Sequence, residues 1–265
     1  MNIYSFLQAV HEKRPLVHHI TNWVTIFDCA QVVKSFGASP VMAHAPEEVE
    51  AMTGLGSALV LNIGTLTTEI VDSMKLAAAA ANRKGIPIVL DVCGAGATAF
   101  RDRKCMEILD AAKIDVIKGN SSEIARVAGQ ATQTKGVDAG EVGGDLREIA
   151  VSLSIARACT VVITGAEDIV AGQGKIFLVR NGHPMMANLV GTGCMATSVI
   201  GTFAGATPEQ IPEAAAAGLA CYEIAAEQAV KKSDGPSSFK QQLFDCIYRL
   251  DEKQIRAMQQ VSTAT

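Results

Sequence analysis

The chain has 265 residues, 49% of them hydrophobic and only 5% aromatic, which is enough apolar mass for one large core or two small ones. A formal charge of −4 with no long basic run argues against a nucleic-acid partner. No apolar run reaches the ~18–20 residues of a membrane-spanning helix, and Met1–Arg14 lacks the basic start and cleavage-like end of a secretory leader.

In chain order, His18-His19-Ile20-Thr21-Asn22 reads as extended chain leading into a helix that contains Asp28, and Pro40-Val41-Met42 is a short apolar run. Ala58–Asn62, Ile86–Asp91, Ile114–Lys118 and Thr160–Thr164 are near-continuous apolar runs that stop at a polar or glycine residue. That is the pattern of strands covered on both faces in a parallel sheet. Helices are expected between them at Thr67–Lys84, Arg101–Ala112, Ser121–Ala128 and Gly143–Ala158. After Thr164, Asp168–Ala171 and Lys175–Arg180 flank Gly172-Gln173-Gly174 and read as a hairpin. From Cys194 onward the pattern is almost wholly helical, with a long helix from Pro208 to Lys232, a polar break at Ser233–Ser238 and a loose tail in the last few residues. No repeat or linker divides the chain. The expectation is a single α/β domain over residues 1–265, a mostly parallel sheet with helices on both faces.

Seven scattered cysteines (Cys29, Cys93, Cys105, Cys159, Cys194, Cys221 and Cys246) include no C-x-x-C pair. They fit neither a disulfide framework nor a zinc site, and they suit a reducing, cytoplasmic compartment. Alanine-rich Leu76–Ala81 and Ala214–Ala217 hint at extra buried surface and an oligomer.

In open α/β sheets ligands bind beyond the carboxyl ends of the strands. Those ends carry Gly64-Thr65, Asp91 with Gly94-Ala95-Gly96-Ala97-Thr98, Lys118-Gly119-Asn120 with Glu123, and Thr164-Gly165. Gly94–Ala99 matches G-x-G-x-x-A, but a dinucleotide site needs an acid ending the next strand, and that strand ends in Lys118. A Walker motif fails because Gly174-Lys175 is followed by Ile176. Further on, Gly191-Thr192-Gly193-Cys194 opens an apolar helix, where free N–H groups could cradle phosphate and favour a thiolate; a glycine turn before an inert buried cysteine reads equally well. Glu123 either caps a helix or holds Mg²⁺ through water, and Asp91 either caps a turn or balances metal and phosphate. His18 and His19 point to opposite sides of an extended chain and suit structural hydrogen bonds better than a metal. Met42 is core filler or an apolar contact for a ring.

Taken together and in order, these segments closely resemble the hydroxyethylthiazole kinase family of the ribokinase-like superfamily, from about His18 to Gly205. The resemblance implies a three-layer ribokinase-like fold and phosphorylation by ATP of the hydroxyl of 4-methyl-5-(2-hydroxyethyl)thiazole, in thiamine salvage. It also implies that Lys118 and Thr164 contact ATP, that Met42 and Gly191 contact the thiazole, and that Asp91 and Glu123 lie near Mg²⁺ and the phosphates. Gly191, Gly193 and Cys194 match the anion hole, with Cys194 where most of the superfamily carries a catalytic aspartate. The family assembles as a homotrimer with active sites between subunits. Two departures stand out: Val92-Cys93 replaces Pro-Val after Asp91, and the acids of Thr164-Gly165-Ala166-Glu167-Asp168 are placed differently. A sister kinase for hydroxymethylpyrimidine or pyridoxal, and a non-catalytic thiazole or nucleotide sensor, are the alternatives.

Overall fold

A computed structural model describes residues 1–130 and 144–264. The first half comprises α1 (Ile3–Lys13), β1 (Leu16–Ile20), α2 (Ile26–Ser35), β2 (Ser39–Met42), α3 (Val49–Leu55), β3 (Ala58–Asn62), α4 (Thr68–Lys84), β4 (Ile88–Asp91) and α5 (Ala99–Ala111). There follow β5 (Val116–Asn120), α6 (Ser121–Val127), α7 (Leu146–Arg157), β6 (Thr160–Thr164), β7 (Asp168–Gly172) and β8 (Lys175–Val179). A short 3-10 turn, Pro184–Asn188, leads into α8 (Thr192–Ala206), α9 (Ile211–Val230), α10 (Pro236–Tyr248), α11 (Glu252–Met258) and β9 (Val261–Ala264).

One sheet runs β2-β1-β3-β4-β5-β6-β7-β8-β9, parallel from β2 through β6 and antiparallel beyond. Successive strand residues face opposite sides. Val17, Val60, Val89, Val116 and Val162 therefore pack beneath α1, α2, α8, α9 and α10. Leu59, Leu61, Leu90, Ile117 and Ile163 pack beneath α4, α5, α6 and α7. Two covered faces explain the unbroken apolar runs, and the three-layer α/β architecture expected from the sequence is present. Helix α8 lies flat on the sheet because Gly201 meets it: a Cβ there would overlap Val60.

Several boundaries differ from the sequence reading. The fourth strand starts at Ile88, since Pro87 has no N–H to give a neighbour. The fifth extends to Asn120 because Gly119 and Asn120 continue the ladder against Ile163 and Thr164. Gly143, the expected start of a helix, lies outside the described residues; α7 begins at Leu146, where the Asp145 carboxylate accepts the Arg147 N–H at 2.8 Å. The expected loose tail is instead an edge strand, with Val261–Ala264 pairing along Val179–Ile176. Its Ser262 and Thr263 interrupt any apolar pattern, so nothing in its composition announces a strand.

Candidate active site

Register builds the site. Asn62, Asp91 and Lys118 are direct partners across β3, β4 and β5, so they form one row at the carboxyl rim. They share the parity of Val60, Val89 and Val116 and so face α8. Asp91 Oδ2 accepts from Thr197 Oγ1 of α8 at 2.6 Å and from Asn62 Nδ2 at 3.0 Å, and lies 3.4 Å from Lys118 Nζ. Lys118 Nζ donates to the Gly193 carbonyl at 3.0 Å. Asn62 Oδ1 accepts from Asn22 Nδ2 at 3.1 Å, and Asn22 Nδ2 also approaches Cys194 Sγ at 3.3 Å. A single polar chain thus links four strand ends to the first turn of α8.

That turn is open. Gly191 caps α8 with a left-handed φ of 94°, and the Met195 N–H reaches back to the Gly191 carbonyl at 2.8 Å as the first helical bond. The N–H groups of Thr192, Gly193 and Cys194 precede any helical acceptor and carry the positive end of the helix dipole. Glycine is required at Gly191, and Gly193 leaves close room for Lys118. A Cβ on Gly191 would stand 2.5 Å from Thr25 Cγ2, and one on Gly193 would stand 3.2 Å from Lys118 Nζ. Tyr222 of α9 donates to the Thr192 carbonyl at 3.3 Å and braces the turn from behind.

Glu123 closes the other side. Its Oε1 accepts the Gly94 N–H at 2.6 Å and its Oε2 the Asn120 N–H at 2.7 Å, while Asn120 Oδ1 accepts the Glu123 N–H at 2.9 Å. The capping reading of Glu123 is therefore correct as far as it goes, and the cap also pins the Gly94 turn beside Asp91. Arg101 secures that turn by donating to the carbonyls of Ile63 and Gly64, each at 2.8 Å, and of Cys93 at 3.2 Å. At the first departure from the family pattern, the Val92 N–H donates to the Lys118 carbonyl at 2.9 Å, a bond a proline could not make.

Charge is concentrated here. Burial works against ionisation of Lys118, but Asp91 and Glu123 outweigh it and its pKa is raised, so the ammonium is held. Burial and the Asp91 charge push Glu123 up to about 7, against the pull of Lys118 and two N–H donors. Cys194 is drawn down to about 6, chiefly by a hydrogen bond from Cys93, with burial and Asp91 opposing and Lys118 assisting. The Cys93 thiol is pushed up by the same hydrogen bond and by burial. Of the two sulfurs, Cys194 carries the charge, because it alone sits in the first turn of a helix.

Thr164 and Gly165 line a cavity of about 590 Å³ together with Gly182, Met186, Thr192 and Gly193. The Thr164 hydroxyl points to the Gly119 carbonyl at 3.4 Å. A second cavity, about 650 Å³, lies at the amino ends of β4, β5 and β6 and includes none of the rim residues. Met42 stands apart: it ends β2, the edge strand, half-buried, three strands from Asp91. That is a separation of about 14 Å along the hydrogen-bonding direction. His18 and His19 point to opposite faces: His18 bonds Thr53 and the Ala43 carbonyl, and His19 bonds Ser198 and the Val17 carbonyl. Thr197, Arg101 and Cys93 escaped the sequence reading as partners. Only the position of Thr197 one turn after Gly193 could have signalled it.

An open helix turn facing a buried lysine–aspartate pair, at the carboxyl rim of a three-layer sheet, marks a kinase of the ribokinase-like fold. The Bacillus subtilis pyridoxal kinase solved as an ADP complex shares that fold, with a TM-score of 0.58 and 18% identity over 80% of this chain and 91% of that one. The hydroxyethylthiazole kinase family profile matches residues 7–253, and the chain belongs to that family. It is 51% identical over 255 residues to the hydroxyethylthiazole kinase of Methanosarcina mazei, covering 96% of this chain and 97% of that protein. The solved hydroxyethylthiazole kinase of Pyrococcus horikoshii superposes with a TM-score of 0.91 and 40% identity, over 99% of both chains.

Proposed function

We propose that the protein transfers the terminal phosphoryl group of ATP to the hydroxyl of 4-methyl-5-(2-hydroxyethyl)thiazole, returning the thiazole half of thiamine to use in the cytoplasm. Family membership supports the substrate, and the open turn of α8 opposite Lys118 supports the chemistry. Phosphoryl transfer depends on positioning and charge stabilisation more than on proton removal. Lys118 meets the phosphates. The N–H groups of Thr192, Gly193 and Cys194 take up charge that grows on the transferring group, where one well-aimed donor contributes about 3–4 kcal/mol. Thr164 borders the cavity of about 590 Å³, which has room for the nucleotide.

Asp91 and Glu123 fit Mg²⁺. They are two buried carboxylates, and the charge of one raises the pKa of the other. Glu123 already serves two N–H groups, which suits a cation held through water. When bound, Mg²⁺ supplies neutralisation of the triphosphate charge. Cys194, held by Asn22, receives the proton of the substrate hydroxyl.

Among the described residues, large apolar side chains near the anion-binding turn are left exposed. Val24, Phe27 and Val190 are 67%, 71% and 71% exposed, and Val24 and Val190 lie close in sequence to Asn22 and Gly191. Such exposed apolar surface supports a homotrimer that completes each site with a neighbouring subunit, bringing Met42 and Gly191 to the thiazole.

ADP release by the purified protein with Mg-ATP tests the reading, comparing the thiazole alcohol with hydroxymethylpyrimidine and pyridoxal. Turnover with the thiazole is the expected result. Turnover with another alcohol alone overturns the substrate, and ATP binding without turnover favours a sensor.

A further inference from the structure

The floor of the 590 Å³ cavity holds two acids that the proposed transfer does not use. Asp168, the first residue of β7, is 2% exposed, and Glu223, in the alanine-rich α9, is 7% exposed. Asp168 Oδ1 accepts the Gly165 N–H at 2.9 Å and so fixes the turn that follows Thr164. Asp168 Oδ2 and Glu223 Oε2 are buried with no donor from another group, and the two carboxyls meet side by side. No cation relieves them among the described residues. Arg180, on the cavity wall, is paired with Glu167, and Lys118 is committed to Asp91 and the Gly193 carbonyl. Glu227, one turn further along α9, adds negative charge and accepts from Asn181 Nδ2 and the Gly182 N–H, each at 2.9 Å. His183 borders the same cavity.

Two carboxylates in contact inside a protein cannot both ionise at modest cost. Burial pushes Asp168 up, against a hydrogen bond with Glu223, the Gly165 N–H and the charge of Lys118, and burial together with Asp168 pushes Glu223 well above the ordinary carboxylate range. A proton between the two acids supplies the missing donor, ties β7 to α9 and leaves the floor with one negative charge instead of two. The neighbouring Tyr222 connects the same stretch of α9 to the anion-binding turn.

We propose that Asp168 and Glu223 share one proton, and that the proton-linked pair is a positioning device that shapes the cavity for ATP; this rests on the kinase reading of the site. Loss of the proton places two like charges under a polyanionic ligand and loosens the Gly165 turn. The effect falls on nucleotide affinity and not on the transfer step, because neither acid reaches the reacting groups.

The test is the dissociation constant of ADP, measured by titration calorimetry from about pH 7 to about pH 9, for the parent, Glu223→Gln and Glu223→Ala. Carbon-detected NMR of labelled carboxyls follows the proton itself. The proposal expects parent affinity to fall with rising pH, by up to about tenfold per unit once the pair titrates. Glu223→Gln, whose amide donates to Asp168 permanently, should bind ADP as the parent does near neutral pH and stay flat. Glu223→Ala should bind weakly throughout. In steady state the same pH change should raise the KM for ATP and leave kcat alone. Flat parent affinity, or two carboxyls titrating separately at ordinary values, overturns the proposal. Absence of turnover with any alcohol would sink the kinase reading, while the calorimetric result would still decide the shared proton.

Discussion

The two ends of the site are built differently. The phosphate end is complete within one chain: Asn62, Asp91 and Lys118 in register, the turn of α8 above them and Glu123 at the side, all tied by hydrogen bonds of named partners. The side proposed for the alcohol has an edge strand ending in the half-buried Met42, with the exposed apolar residues Val24, Phe27 and Val190 elsewhere on the surface. Phosphate handling needs preorganised dipoles and charges in a dry setting, and a parallel sheet delivers these where its strands end. Recognition of a small ring needs apolar walls, and the proposed assembly would supply them from a neighbouring subunit.

The comparison implies that substitutions at the phosphate end abolish transfer, while those at the alcohol end alter affinity or assembly. The largest effect is expected for Asp91→Asn. It removes the charge that partners a buried lysine, which is strongly unfavourable once that lysine stays ionised. Turnover should fall on the order of 10³-fold with circular dichroism unchanged. A loss of merely a few-fold would mean that Lys118 is held by the Gly193 carbonyl alone. Next comes Gly191→Ala. The added Cβ meets Thr25 at 2.5 Å in a backbone region that disfavours side chains, so the turn must shift. Displacing one donor predicts a loss of roughly 10²- to 10³-fold in kcat. Unchanged kcat would remove the turn from the mechanism.

Cys194→Ala separates proton acceptance from charge stabilisation at the same turn. The expected loss is about 10²-fold, the lower range for a positioned base. In the parent, kcat/KM should rise as pH climbs through about 6, where the Cys194 thiolate is expected to form, and that limb should vanish in the variant. Nearly full turnover without Cys194 would reduce its part to orienting the hydroxyl through Asn22.

The same contrast explains what could be read from the chain. Most of the phosphate end was legible because Asn62, Asp91, Lys118 and Glu123 end or follow apolar strand runs, which parallel topology brings to one rim. Gly191–Cys194 was legible as a glycine turn opening a helix. Even there the partners were hidden. Thr197 reaches Asp91 only because α8 lies flat on the sheet through Gly201, and the contact of Glu223 with Asp168 joins two elements that carry no common motif. The strand Val261–Ala264 went unread because it is polar at two of four positions and owes its form to the free edge of β8. Val24 and Phe27 have the look of core residues in a one-dimensional pattern. Their exposure is visible only once α2 is seated.

Val24→Asp tests whether the exposed patch is a subunit contact. A charge in an apolar interface should shift sedimentation toward the monomer and lower activity about tenfold at dilute protein, consistent with one buried charge opposing association. Recovery at high protein concentration would tie the loss to assembly. A variant that sediments as the parent does would leave the patch outside any interface.

Met42→Ala carries the smallest expected effect and the sharpest test of a borrowed wall. Losing a flexible apolar contact to a ring is worth about 1 kcal/mol, hence a rise of several-fold in the KM for the alcohol, with the KM for ATP unchanged. It lies three strands from Asp91, and mixed oligomers decide whose site it serves. Subunits carrying Asp91→Asn retain Met42, and subunits carrying Met42→Ala retain the phosphate end. If Met42 serves a neighbouring subunit, dissociating and reassembling the two variants together creates sites with both features intact, and part of the active population regains the parental KM. If Met42 serves its own chain, no mixture contains a parental site, and every active site keeps the raised KM.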